Sequence, residues 1–120
     1  TVAQHAALVA LEPDTCELLD QRKGELALRR DVLLPELARL GFEVETPPQG
    51  AFYCYAGIKH FGLDSETLAE RLLLEAGVAL TPGTDFGSHR ASQHVRFAYT
   101  TSRERILEAM GRIEAVLNCL

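Results

Sequence analysis

From Leu18 to Leu40 the chain keeps apolar residues at an approximate helical period, through Leu18, Leu19, Leu26, Val32, Leu33, Leu37 and Leu40. A stripe of that length predicts one long helix over residues 15–40, and the rest of the chain must pack against it. Residues 2–12, rich in alanine and leucine, read as a separate short helix that Pro13 ends. Asp14 and Glu17 are spaced as a capping box, which starts the long helix near Thr15. Pro35 removes a backbone donor inside the stripe and predicts a kink, or a break and restart. Gly41 suits the left-handed position that follows a helix.

The remaining elements are short. Residues 42–46 and 51–56 read as strands around the rigid loop Pro47-Pro48-Gln49-Gly50. The second has no clean polar alternation, which predicts cover on both faces. Asp64 or Ser65 caps a helix at 65–76 that Gly77 closes. Strands follow at 78–80 and 94–100, separated by a long irregular loop of the kind that often carries function. Thr101 and Glu104 repeat the capping pattern before a helix at 102–119, where Ile106, Met110, Ile113 and Leu117 form the apolar stripe. Strands beside one another with helices on one side indicate an α+β sandwich. The expected form is a small antiparallel or mixed sheet of three to four strands with helices packed on one face. Residues 1–40 make a helical lead-in and long helix, and residues 41–120 make an α/β sandwich core.

Twelve Lys and Arg stand against seventeen Asp and Glu, a net charge of -5 without a basic stripe, which argues against nucleic-acid binding. No apolar run approaches the ~20 residues that span a bilayer. Cys16, Cys54 and Cys119 are odd in number and far apart, which predicts reduced thiols in a cytoplasmic protein rather than disulfides or a structural zinc. The chain opens on Thr1 inside a helical pattern, so we expect a segment of a longer polypeptide.

One residue stands out chemically. Arg96 lies in Val95-Arg96-Phe97-Ala98-Tyr99, an otherwise apolar and aromatic run. It is either a surface arginine on an edge strand or the base of an anion site. A guanidinium stays charged, is costly to bury unpaired, and recognises a carboxylate through two parallel donors. Gly50 and Gly83 read as turn residues, with the alternative for Gly50 that it lets the backbone come close to a ligand. Tyr53 and Tyr55 read as core or interface aromatics. Lys23 sits on a charged helix face and Lys59 in a loop, neither in surroundings that would make a nucleophile. The histidines show no metal spacing, and no catalytic constellation is apparent.

The segments Leu40-Gly41-Phe42, Pro48-Gln49-Gly50-Ala51-Phe52-Tyr53, Glu75-Ala76-Gly77-Val78-Ala79, Pro82-Gly83-Thr84-Asp85-Phe86-Gly87 and Val95-Arg96-Phe97-Ala98-Tyr99 follow one another in an order and spacing that are specific together. With Val2-Ala3-Gln4-His5-Ala6-Ala7 and Arg29-Arg30-Asp31, they resemble the C-terminal small domain of class I/II aminotransferases, pyridoxal-phosphate enzymes of fold type I. The resemblance covers nearly the whole chain. It implies transfer of an amino group between an amino acid and a 2-oxo acid, in a full-length homodimer. It implies that Arg96 binds the substrate α-carboxylate and that Gly50 and Phe52 lie near the substrate. It also implies that pyridoxal 5'-phosphate is bound mainly by a preceding large domain, with no catalytic or cofactor-binding residue in this segment, which would be inactive alone. The loop Ser88-His89-Arg90-Ala91-Ser92-Gln93-His94 is more basic than is usual in the family. The alternatives are the effector-sensing region of a bacterial transcription regulator, built on the same domain, and an α+β interaction module without a ligand.

Overall fold

The computed structural model describes all residues, Thr1–Leu120. Helix α1 (Val2–Ala10) leads into the long α2 (Pro13–Arg39), followed by strand β1 (Tyr53–Gly57), helix α3 (Ser65–Arg71), strands β2 (Thr81–Pro82) and β3 (His94–Ala98), and helix α4 (Arg103–Leu117). The three strands form one antiparallel sheet in the order β1-β3-β2. β3 is central, with Tyr55 of β1 and Thr81 of β2 both in register with Arg96. This is the expected α+β architecture.

Helix termini follow local chemistry. α2 starts with Pro13 at its first turn, where the missing N–H costs nothing, and Glu12 occupies the cap position. The start therefore lies before the Asp14–Glu17 pattern. Pro35 does not break α2. Leu33 and Leu37, buried on either side of it, anchor both turns in the core, while Pro35 itself faces outward. The carbonyl left without its helical partner is then accessible to water. Gly41 ends the helix at φ 91°, a conformation that disfavours any residue with a Cβ. Asp64 caps α3 by accepting from the Thr67 N–H at 2.9 Å. α3 widens into one π-helical turn, Leu72–Ala76, before Gly77. Ser102, not Thr101, caps α4, accepting from the Arg105 N–H at 3.4 Å.

Two expected strands take other forms. Residues 42–46 contribute only an isolated bridge, Glu43 to Gly57. Residues 78–80 are irregular, and pairing with β3 begins at Thr81. Inside the long loop, Gly83–Phe86 and Ala91–Gln93 form 3-10 turns.

The sheet has two unlike faces. Cys54, Ala56, Val95 and Phe97 point into a core completed by Leu33 and Leu37 of α2, Leu68 of α3, and Ile106, Met110 and Ile113 of α4. Tyr53, Tyr55 and Arg96 occupy the other face. Tyr53 and Tyr55 are 41% and 39% exposed, so β1 is not covered on both faces as its composition suggested. Tyrosine tolerates this because its hydroxyl can remain hydrated above an apolar ring. No helix is long and apolar enough to cross a membrane.

Candidate functional site

A cleft of about 550 Å³ opens on the uncovered face of the sheet, lined by Tyr53, Tyr55, Gly83, Phe86, His89 and Arg96 among others. β1 and β3 place Tyr53, Tyr55 and Arg96 side by side through strand alternation. The turn Gly83–Phe86 then brings Phe86 over them. The Arg96 guanidinium carbon lies 5.0 Å from the Phe86 ring centre and 5.7 Å from that of Tyr53. Tyr55 meets Phe86 edge-on at 6.4 Å and stacks flat on His94 at 4.8 Å. His94 is fixed in turn by a 2.9 Å hydrogen bond between Nδ1 and the Arg90 carbonyl, which accepts.

Arg96 has no anionic partner. It takes part in none of the eight ion pairs. Arg22, Lys59, Arg103 and Arg105 are also unpaired, but all four are exposed, whereas Arg96 is half-buried. Its Nε is buried without any acceptor. No carboxylate lines the cleft. A cation held among rings, short of solvent and of counter-charge, is the arrangement that favours an incoming carboxylate.

The other two residues singled out in the sequence lie elsewhere. Gly50 borders a separate cleft of about 160 Å³ with Lys23, Arg30 and Tyr99. Its carbonyl accepts from the Tyr99 hydroxyl at 3.2 Å, and burial pushes that phenol above its ordinary pKa, so it stays a donor. An added Cβ at Gly50 would meet nothing within 4 Å. Phe52 lines a third cleft of about 330 Å³ with Arg22, Glu25 and Arg29. It touches the Arg96 group only through Tyr53, edge-on at 5.5 Å. The structure therefore does not gather Gly50, Phe52 and Arg96 into one pocket.

Other chemistries are poorly supported. Burial pushes the Cys54 thiol up to about 11, which keeps it protonated and inert. Neither Lys23 nor Lys59 lines the Arg96 cleft. Lys23 is exposed and paired with Asp20. No group of three or more His, Cys, Asp or Glu is placed to hold a metal ion. Sequence reasoning passed over Tyr53, Tyr55, Phe86 and His94 as site residues. The alternation of Tyr53 and Tyr55 with Cys54 and Ala56 was the available signal, since period two separates large rings from small core residues.

Comparison with known proteins decides the family. The family described as "Aminotransferase class I and II" matches residues 1–113. The chain belongs to it. Within the family, it is 36% identical to a valine–pyruvate aminotransferase of Mycobacterium tuberculosis over 112 residues, covering 93% of this chain and 29% of that protein. It is 40% identical to an aspartate/prephenate aminotransferase of Thermus thermophilus over 119 residues, covering 98% of this chain and 30% of that protein. A crystal structure of an aminotransferase from Mycobacterium tuberculosis superposes with a TM-score of 0.90 at 35% identity, covering 96% of this chain and 30% of the other. This aminotransferase-family chain thus spans about three tenths of the length of these relatives.

Proposed function

We propose that this segment is the small domain of a pyridoxal-phosphate-dependent aminotransferase, and that its Arg96 binds the α-carboxylate of an amino-acid or 2-oxo-acid substrate. One observation carries the reading. Arg96 is the only cation of the chain that is both withdrawn from solvent and unpaired, and it lines an open aromatic cleft. The family supplies the rest of the argument, because a transaminase that acts on an α-amino acid meets a carboxylate on the carbon whose amino group it moves.

The division of labour follows from the residues present. Arg96 would take the carboxylate through two parallel N–H donors, fixing the direction of the substrate Cα. Tyr53, Tyr55 and Phe86 would keep water from competing for those donors. No lysine lines the cleft, which supports placing the covalent anchor for pyridoxal phosphate elsewhere. We assign the cofactor, and the chemistry of the amino transfer, to residues outside this segment. Gly50 and Phe52 would come near the substrate only from their own clefts, once the remainder of the enzyme is in place. We further propose a homodimeric, cytoplasmic full-length enzyme, in which the uncovered sheet face closes over bound substrate.

The test is amino-group transfer by the full-length protein with pyridoxal phosphate, across the proteinogenic amino acids and several 2-oxo acids. Transfer with at least one pair is expected. Absence of transfer with every pair, in protein that binds the cofactor, would overturn the proposal.

A further inference from the structure

The position of Arg96 is not set by polar contacts. Its Nε has no acceptor, no ion pair reaches it, and its neighbours in register are Tyr55 and Thr81. What meets the guanidinium is π surface from two separate segments. Phe86 comes from the Gly83–Phe86 turn at 5.0 Å, and Tyr53 comes from the start of β1 at 5.7 Å. Phe86 itself is 54% exposed at the rim of the cleft. Its edge rests on Tyr55, which is backed by the stacked ring of His94.

We propose that Phe86 and Tyr53 are positioning residues that hold the Arg96 guanidinium by cation–π contact, so that its N–H edge is already aimed into the cleft before a carboxylate arrives. The proposal rests on the carboxylate role assigned to Arg96. A guanidinium carries its five donors around its edge, and rings over its plane leave that edge free. An arginine tethered only by its flexible stem would lose side-chain freedom on binding, whereas one restrained beforehand loses less.

The experiment compares full-length wild type, Phe86→Leu, Phe86→Tyr, Arg96→Ala and the Phe86→Leu/Arg96→Ala double variant. Two quantities are measured: the single-turnover rate with an amino acid relative to its decarboxylated amine, and the affinity for propanoate by NMR titration. Phe86→Leu should lower both the rate ratio and the propanoate affinity about tenfold, the scale of a partly desolvated cation–π contact. Phe86→Tyr, which restores a ring, should recover most of the loss. In the Arg96→Ala background, Phe86→Leu should add nothing further. If Arg96→Ala collapses the ratio but Phe86→Leu leaves it unchanged, positioning by Phe86 is wrong and the carboxylate role stands. If Phe86→Leu slows amino acid and amine alike, Phe86 is a general structural residue and the inference fails. If Arg96→Ala leaves the ratio unchanged, the carboxylate role itself fails and the inference with it.

Discussion

At Gly83 the backbone runs so close to its neighbours that an added Cβ would lie 2.3 Å from the Ala91 carbonyl oxygen, 2.4 Å from the Tyr55 hydroxyl and 2.8 Å from the His94 carbonyl oxygen. Two of those three atoms are backbone and cannot swing aside. Gly83→Ala should therefore cost about 1–3 kcal/mol through enforced overpacking, measured by urea unfolding. A stability change within error would show that the loop yields more easily than its packing implies. The same glycine shows how much a sequence discloses at this scale. Pro82-Gly83 marks a turn at sight, but the necessity of Gly83 comes from residues 55, 91 and 94, which no local pattern connects to it. Arg96 was legible for the opposite reason. A guanidinium amid Val95, Phe97 and Tyr99 is anomalous within five residues, and the structure adds that its Nε has no acceptor and that no ion pair reaches it.

Helices here were readable from their own segments, whereas of the four expected strands only those at 51–56 and 94–100 hold as strands. α3 begins where Asp64 announces it, because an N-cap acts within three residues: Asp64 accepts from both the Thr67 N–H and the Thr67 hydroxyl at 2.9 Å. Residues 42–46 form no strand, since a strand exists only where a distant partner pairs with it, and only the Glu43–Gly57 bridge is available. Pro35 left a kink or a break open, and α2 runs on through it without a break. Its penalty is local, but the burial of Leu33 and Leu37 outweighs it. The Asp64 cap also yields a prediction about acid. Hydrogen bonds from the Thr67 N–H and hydroxyl hold its carboxyl below the usual carboxylate range. A depressed folded-state pKa means a contribution present above the unfolded pKa and lost as pH falls through the folded value. Asp64→Asn should lower stability at neutral pH and weaken its decline on acidification, read from urea midpoints at neutral and acidic pH. Parallel pH curves for the two proteins would contradict this.

Taken whole, the molecule is longer than its chain length requires. It measures 52 × 31 × 26 Å with a radius of gyration of 17.0 Å. A compact chain of this length would have a radius of about 14 Å. The excess lies in the helical arm at residues 1–24, none of which is buried. Val2, Leu8, Val9 and Leu11 are 88%, 66%, 52% and 79% exposed on that arm, and Tyr53, Tyr55 and Phe86 are uncovered on the sheet. Both surfaces are apolar for their size, and both are accounted for if the remaining seven tenths of an aminotransferase packs nearby. Part of the resemblance to that family sits at turns, where Gly41 and Gly77 take positive φ and backbone geometry constrains residue identity. The sequence did not reveal that Gly50, Phe52 and Arg96 occupy three separate clefts, since that depends on how the loop at 47–52 passes α2.

The claim at the centre is that Arg96 receives the substrate carboxylate, and Arg96→Lys in the full-length enzyme tests it most directly. Lysine keeps the charge and loses the paired donors, so the carboxylate is held in fewer of its required orientations. Steady-state kinetics should show kcat/KM for amino acids falling by about 2–5 kcal/mol in transition-state free energy, while the cofactor's absorbance spectrum stays as in the wild type. Part of the fall should appear in kcat, because orientation as well as binding is lost. Amino-acid kinetics that barely move would make Arg96 a structural arginine and contradict the account.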